Sequence, residues 1–240
     1  MDRFVDFHSH ILPGIDDGSA SLEESVSMLQ QEAKQGIRCV VATPHFYAQH
    51  DMLEHFLMRR REASEKLLQS MEEHPELPSI VLGAEVYFFP GMSNCEELSE
   101  LTIGNTGYML LEMPPAPWTT KMYGELEEIR AKRDIIPIIA HVDRYLGLIN
   151  TFGIPKQLEK MPVLVQANAS FFLQKNTQAR AIRMLEKDQI QLLGSDCHNM
   201  KNRPPKLGEA VQVISRNASA SAIRRVWHYQ EQVLGNPGQW

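Results

Sequence analysis

Several histidines of this 240-residue chain stand beside carboxylates or close behind apolar segments. His8 and His10 form a His-x-His pair, and Asp196 and His198 form an Asp-x-His pair. Residues two apart in an extended chain point to the same face, so each pair could bind one cation or two neighbouring cations. Imidazole and carboxylate ligands without thiolate suit manganese, iron or zinc and do not select sharply among them. The chemistry that these pairs indicate is that of divalent metal ions.

The positions of these residues along the chain strengthen this interpretation, because nearly every predicted strand ends in a residue that could bind a metal. In chain order, the candidates are His8 and His10, then Asp17 in the loop that follows, and then His45, Glu85, Glu112, His141, Asp196 and His198. The carboxyl ends of parallel strands share one face of a barrel, so these side chains are expected to converge there. So many polar groups are costly to bury without partners, and cations are suitable partners.

The elements that must position these residues alternate between strand and helix. Apolar segments predict strands at 3–7, 37–43, 80–84, 108–111, 135–140, 163–168 and 191–194. A capping box at Ser21 to Glu24 begins one helix, and an amphipathic pattern from Leu53 to Met71 predicts a long one. Repeated alternation favours parallel strands with right-handed crossovers. The alternation allows either an open sheet or a barrel. About seven strands and no internal boundary favour one domain, residues 1–240, folded as an α/β barrel with fewer strands than the usual eight.

The bulk composition excludes several classes of function. The net charge of −6 and the lack of a basic run argue against nucleic acid as the main partner. An odd number of cysteines, three, fits a reducing compartment. The sequence contains no apolar segment of the roughly 20 residues that a membrane-spanning helix needs, and it begins without an apolar leader. We therefore expect a cytoplasmic protein that does not insert into membranes.

The chain resembles the polymerase-and-histidinol-phosphatase (PHP) superfamily, and within it the manganese-dependent tyrosine-protein phosphatases of bacterial capsule and exopolysaccharide operons. The matching stretches are Asp6-Phe7-His8-Ser9-His10, Asp16-Asp17-Gly18, Ala42-Thr43-Pro44-His45, Gly83-Ala84-Glu85, Leu111-Glu112, Ala140-His141-Val142-Asp143-Arg144-Tyr145, Gly194-Ser195-Asp196-Cys197-His198-Asn199 and Arg203-Pro204-Pro205. They follow the family's order over roughly residues 2–205. The resemblance implies a distorted (β/α)7 barrel of the PHP type, similar to a TIM barrel.

The resemblance also implies a cluster of two or three divalent ions, manganese being the expected metal and iron or zinc the alternatives. The implied first ion is held by His8, His10, Glu85 and Asp196; the second by Glu85, Glu112 and His141; and the third by Asp17, His45 and His198. Arg144 and Arg203 are the implied phosphate-binding arginines. The family often has glutamate where this chain has Asp143, a departure that leaves Arg144 in place.

The implied activity is hydrolysis of phosphotyrosine in proteins by metal-activated hydroxide. The implied substrate is the tyrosine-rich tail of a cognate bacterial tyrosine kinase that regulates capsule or exopolysaccharide synthesis. A phenolate leaves without much protonation, so aryl phosphates are expected to react faster than alkyl phosphates. The native metal and the oligomeric state are not indicated by the sequence.

Four alternatives compete with this function. A PHP phosphatase of a small phosphomonoester such as histidinol phosphate would share the same ligands. A PHP exonuclease is disfavoured by the acidic chain, and a metal-stabilised scaffold is disfavoured by the two arginines. Cys197 and Arg203 match the Cys-x5-Arg spacing of cysteine-dependent tyrosine phosphatases, but no glycine lies between them, and Cys197 is interpreted as a small filler residue. The other histidines are expected to be solvated or structural: His50, His55, His74 and His228.

Overall fold

The computed structural model describes residues 4–146 and 154–235. Its strands are β1 (Val5–Ser9), β2 (Cys39–Ala42), β3 (His45–Phe46), β4 (Ser79–Leu82), β5 (Glu85–Tyr87), β6 (Tyr108–Glu112), β7 (Ile136–Ile139), β8 (Leu164–Asn168) and β9 (Leu192–Gly194). Its helices are α1 (Leu22–Lys34), α2 (Leu53–Met71), α3 (Thr120–Arg133), α4 (Val142–Tyr145), α5 (Ile154–Leu158), α6 (Ala169–Leu173), α7 (Gln178–Glu186), α8 (Leu207–Asn217) and α9 (Ala220–Leu234). Three 3-10 helices, Met92–Asn94, Glu96–Leu101 and Ile103–Asn105, precede β6.

The nine strand segments β1 to β9 form a parallel barrel with seven strand positions, here called staves. The number is seven because β2 and β3 together form one stave, and β4 and β5 together form another. The pairing order is β1-β2-β4 in one sheet and β3-β5-β6-β7-β8-β9 in the other. Only two residues separate β2 from β3 and β4 from β5, and the hydrogen bonds Gly83 N–H to Ala42 O (2.9 Å) and Glu85 N–H to Pro44 O (3.0 Å) cross both breaks. The predicted distorted (β/α)7 barrel is confirmed.

The barrel closes between its first and last staves. Ser9 pairs with Cys197 in a parallel bridge just beyond the end of β9. On either side of this bridge, Asp196 N–H donates to His8 O (2.7 Å) and His10 N–H donates to Cys197 O (2.9 Å). The closure therefore brings the His-x-His pair and the Asp-x-His pair side by side.

The predicted strand positions are confirmed to within a few residues, apart from Arg3, which lies outside the described residues. The main difference concerns His45 and Glu85, which were predicted to close their strands. Each instead begins a short second segment of its stave, β3 or β5. Pro44 has no N–H to donate to a neighbouring strand, which accounts for the first break.

Alternate residues of the strands contribute to two hydrophobic clusters. Val40, Met109 and Leu111 pack with residues of the surrounding helices, whereas Val41 and Leu110 belong to a second cluster that includes Val233 of α9. The second cluster fills the barrel interior below the polar ends of the strands. Among the helices of the described ranges, not one combines the length and apolarity that a bilayer crossing needs.

The predicted capping box at the start of α1 is present with one variation. The Ser21 side chain accepts a hydrogen bond from Glu24 N–H (3.2 Å), as predicted. The Glu24 carboxylate reaches back to Ala20 N–H (3.1 Å) rather than to Ser21 N–H. The predicted long helix is α2, which ends at Met71, before Pro75 and Pro78.

Candidate metal centre

Glu85 lies at the middle of the polar end of the barrel, almost completely buried and surrounded by imidazoles. Its Oε2 lies 3.1 Å from His8 Nε2, 3.3 Å from His10 Nε2 and 3.0 Å from His45 Nδ1. Its Oε1 lies 2.9 Å from His141 Nε2. One carboxylate thus contacts four of the histidines that the sequence singled out, which is the arrangement expected of a bridging ligand.

The other predicted ligands surround this centre on two sides. Asp17 Oδ1 lies 3.5 Å from His45 Nε2 and 3.4 Å from His198 Nε2, and its side chain is 69% exposed at the mouth of the barrel. On the other side, Glu112 Oε1 lies 3.3 Å from His141 Nε2.

Asp196 connects these parts of the cluster. Its Oδ1 lies 3.5 Å from His8 Nε2, 3.7 Å from His10 Nε2 and 3.7 Å from His198 Nδ1. The nine predicted ligands therefore form one continuous network of contacts.

The grouping of the donor atoms overlaps with the predicted grouping without matching it in full. Donor atoms within 4.8 Å of one another fall into the sets His10-Asp17-His45-His198, His8-His10-Glu85 and His45-Glu85-Glu112. His45 belongs to two sets because its two ring nitrogens face different carboxylates, Asp17 and Glu85. His10 likewise joins the set of Asp17.

The donor atoms fit divalent cations. The Nε2 atoms of His8 and His10 face each other at 3.2 Å, where a shared cation satisfies both lone pairs. Within the described residues, the buried Nε2 of His198 makes no hydrogen bond, although it faces Asp17. Nitrogen and oxygen donors of this kind suit manganese, iron and zinc.

The pKa shifts of His10 and Glu85 show that the middle of the cluster favours positive charge, whereas burial and the charges of His10 and Arg203 lower the pKa of His198 to about 4. Burial by itself would lower the pKa of His10, but hydrogen bonds to Asp16 and Glu85 raise it to about 10. Burial would raise the pKa of Glu85, yet the neighbouring His8 and hydrogen bonds to the other imidazoles hold it well below the usual range. Anionic ligands that stay ionised when buried are ready to bind cations.

Asp16, which the sequence indicated only as part of the matching stretch Asp16-Asp17-Gly18, contacts two candidate ligands. Its Oδ2 accepts hydrogen bonds from His10 Nδ1 (2.7 Å) and from His45 N–H (3.0 Å), and its Oδ1 accepts one from Gly18 N–H (2.9 Å). Only glycine fits at position 18, because a Cβ there would collide with the backbone and Cβ of His10. Asp16 therefore positions two candidate ligands from outside the cluster, as is common around metal-bound histidines.

Two amides at the end of β8 were also missed. Gln166 Oε1 accepts a hydrogen bond from His141 N–H (2.6 Å) and lies 3.4 Å from His8 Nδ1. Asn168 Nδ2 donates to Asp196 Oδ2 (2.8 Å). The sequence carried one indication of these two residues, because β8, like the neighbouring strands, is apolar at its start and polar at its end.

The backbone is strained at two candidate ligands. His141 and Asp196 have φ angles of +33° and +55°, in the left-handed region that favours glycine. Such conformations cluster at functional sites, where the surrounding structure enforces them. Here the hydrogen bonds to Gln166 and Asn168 help to hold the two residues in place.

Arg144 and Arg203 converge on the two oxygens of Asp196. Arg144 Nη2 donates to Oδ2 at 2.5 Å, and Arg203 Nη2 lies 2.6 Å from Oδ1. Both guanidinium groups are partly exposed and line a cleft of about 450 Å³ beside the candidate ligands. An anion that enters this cleft therefore meets two forked donors next to the ligand cluster.

Cys197 lies on the far side of β1 and β9 from this cleft. It is buried with Asp6 and Glu32, and burial together with these carboxylates raises its pKa well above the usual range. A thiol that is buried and stays protonated is a poor nucleophile. The geometry therefore argues against the Cys-x5-Arg mechanism.

The remaining histidines agree with the prediction that they are solvated or structural. His55 and His228 are exposed on helices, and His74 pairs with Glu76 at 3.4 Å. His50 is exposed but lies near the mouth of the barrel, where it lines a second cleft together with His45. A turn at residues 48–50 keeps His50 close to His45, and the sequence did not predict this turn.

Comparisons with known proteins find similar sequences over most of the chain. The family model described as "Capsular polysaccharide synthesis, CpsB/CapC" matches residues 4–234. Tyrosine-protein phosphatase CpsB of Streptococcus agalactiae is 30% identical over 228 residues, which cover 89% of this chain and 90% of CpsB. Tyrosine-protein phosphatase YwqE of Bacillus subtilis is 26% identical, with 97% of this chain and 92% of YwqE covered.

Solved structures show the same fold. A structure from the study of YwqE from Bacillus subtilis and CpsB from Streptococcus pneumoniae, described as unique metal-dependent tyrosine phosphatases, aligns with a TM-score of 0.82 and 23% identity, covering 98% of this chain and 96% of that one. The histidinol phosphate phosphatase of Lactococcus lactis aligns with a TM-score of 0.58 and 14% identity, covering 90% of this chain and 94% of that one.

Proposed function

This chain belongs to the CpsB/CapC family of capsular polysaccharide synthesis, and from that premise we propose that it is a metal-dependent protein-tyrosine phosphatase. The relatives named above are tyrosine-protein phosphatases, which makes this chain a phosphoric monoester hydrolase. The observation that carries the proposal is the position of Glu85. One buried carboxylate contacts four imidazoles, and two arginines lie across the same cluster on Asp196.

The ligand set supports two or three divalent ions, with manganese as the expected metal. The proposed ligands are His8, His10, Asp17, His45, Glu85, Glu112, His141, Asp196 and His198. Three divalent cations exceed the charge of the four carboxylates by two, which suits a phosphomonoester dianion. Such ions, when bound, acidify a water molecule and stabilise the charge on phosphoryl oxygens.

The protein's own side chains have separate tasks around the phosphoryl group. Arg144 and Arg203 bind its non-bridging oxygens through forked donors, where charge develops during the reaction. Asp16 holds the ring of His10, and Gln166 holds the backbone of His141, so the ligands are oriented before substrate arrives. The leaving phenolate, whose conjugate acid has a pKa of about 10, departs without much help from a general acid.

The physiological substrate that we propose is a bacterial tyrosine kinase tail that is phosphorylated on tyrosine. The family's role in capsular polysaccharide synthesis supports this choice. We also propose that residues 1–240 form one catalytic domain and that the enzyme acts in the cytoplasm, where such a tail would be accessible.

The test compares phosphotyrosine peptides with histidinol phosphate as substrates. Metals are removed with a chelator and restored one at a time, with manganese, iron and zinc in parallel. We expect metal-dependent turnover with a higher kcat/KM for the peptides than for histidinol phosphate. A clear preference for histidinol phosphate would instead assign the small-molecule phosphatase function.

A further inference from the structure

Two tyrosines lie one step further out along the barrel from two candidate ligands. Strands β3 and β5 are parallel, with His45 opposite Glu85 in the pairing register. Tyr47 and Tyr87 are each two positions further along the chain, so they return to the same face as the ligands. Their ring centroids are 5.5 Å apart, with an angle of 42° between the planes. Both rings are partly exposed, and together they form an aromatic surface at the mouth of the site.

Tyr47 is also fixed against the ligand cluster. Its hydroxyl lies 3.2 Å from His45 Nδ1, and its ring centroid is 5.2 Å from that of His45. It forms one wall of the second cleft, of about 390 Å³, to which Ile15 and Asp17 also contribute. The position of the ring is therefore set by the same residues that set the metal centre.

The arginines approach the cluster from another side. Arg144 follows β7 and Arg203 follows β9, and both contact Asp196. The tyrosines are on the β3 and β5 staves, which lie beyond β1 in the closed barrel. The arginines and the tyrosines therefore flank the candidate ligands from different strands of the barrel.

We infer that Tyr47 and Tyr87 form the surface on which the aromatic ring of the phosphorylated tyrosine packs. They would make the site selective for aryl phosphates by binding, in addition to the selectivity that comes from the reactivity of the ester. The inference deepens the proposed phosphatase function and rests on it. Aromatic pairs contribute enough beyond area burial to change an affinity by roughly threefold to tenfold.

The test uses ligands that cannot be hydrolysed, so that binding is separated from leaving-group chemistry. Phenylphosphonate, methylphosphonate and inorganic phosphate are titrated calorimetrically into the metal-loaded protein. We expect the native protein to bind phenylphosphonate roughly threefold to tenfold more tightly than methylphosphonate. In Tyr47→Ala and Tyr87→Ala this ratio should fall towards one.

Two further variants sharpen the comparison. Tyr47→Phe keeps the ring and loses the hydroxyl near His45, so it should keep the ratio of the native protein. Tyr229→Ala is the matched control, because Tyr229 lies on α9 and donates to Asp188 (2.8 Å), away from the ligand cluster. The inference is overturned if the native protein binds phenylphosphonate and methylphosphonate equally tightly, or if both alanine variants keep the native ratio of these two affinities. If the metal-loaded native protein neither binds inorganic phosphate nor hydrolyses an aryl phosphate, the result counts against the proposed function instead.

Discussion

Asp16 holds His10 through a hydrogen bond of 2.7 Å from Nδ1, which turns Nε2 of the same ring towards Glu85. The first prediction concerns this contact. Asp16→Asn should weaken metal binding by roughly 10- to 100-fold, because a neutral amide supports the ring less well than a carboxylate. Calorimetric titration of the metal-stripped protein with manganese measures the effect. Asp51→Asn, which affects the pair with Arg59, is the control, and equal affinities in the two variants would contradict the prediction.

The second prediction concerns the central carboxylate. Glu85→Ala should lose bound metal and nearly all activity, because the cations would then lack the group that neutralises the repulsion between them. Metal analysis and turnover of an aryl phosphate are measured on the same preparation. His55→Ala, on the exposed face of α2, should change neither quantity. Full metal content in the Glu85 variant would show that this residue is not a ligand.

Much of this arrangement could be predicted from the sequence because a parallel barrel gathers the ends of its strands. The ligand-type residues were visible as polar positions after apolar segments, and the barrel placed them together. The tasks of Asp16 and Gln166 were not visible, because they depend on which backbone N–H groups lie opposite them in the folded protein. The breaks in two staves were missed for a related reason, since β3 and β5 are too short to give a pattern of their own.

The third prediction concerns the arginine beside Asp196. Arg203→Lys should lower kcat/KM by about tenfold or more, because one ammonium group cannot reproduce a two-pronged contact. Steady-state kinetics give kcat/KM and the inhibition constant of inorganic phosphate. In the variant kcat/KM should fall and phosphate should inhibit less strongly. Arg216→Lys, exposed on α8, provides the control. Native kinetics in the Arg203 variant would remove this residue from the phosphate site.

The fourth prediction separates the metal mechanism from the cysteine mechanism. Cys197→Ser should keep most of its activity, because the buried thiol packs against Asp6 and Glu32 and does not reach the cleft. A chelator should abolish the activity of the native protein. An inactive serine variant that retains its metal, together with chelator-resistant native activity, would favour the thiol as the nucleophile.

The fifth prediction follows from the buried pair Asp6 and Glu32. Asp6 Oδ1 accepts hydrogen bonds from His8 N–H (3.1 Å) and Ser195 N–H (2.8 Å), while burial and the charge of Asp6 raise the pKa of Glu32 well above its usual range. An acid whose pKa is raised in the folded state contributes its full stability below its pKa in the unfolded chain, about 4.5. That stability is lost as the pH rises towards the folded-state pKa.

Glu32→Gln imitates the protonated acid and should therefore escape this loss. The gain in Tm over the native protein should be larger at pH 8 than at pH 5, measured by calorimetry at both values. Glu62→Gln, exposed on α2, is the control for replacing a surface glutamate. The same change in Tm at both pH values would show that Glu32 does not remain protonated in the folded protein.

The closure of the barrel between β1 and β9 affects the order of events during synthesis. The contact between Asp6 and Ser195 joins residues 189 positions apart in the chain, and the candidate ligands His8 and Asp196 flank it. Contacts of such long sequence separation form late, because the intervening chain must first be ordered. His8 and His10 therefore leave the ribosome long before Asp196, the last of the carboxylates that they contact. If the candidate ligands bind metal as proposed, the site is complete only after β9 has docked against β1.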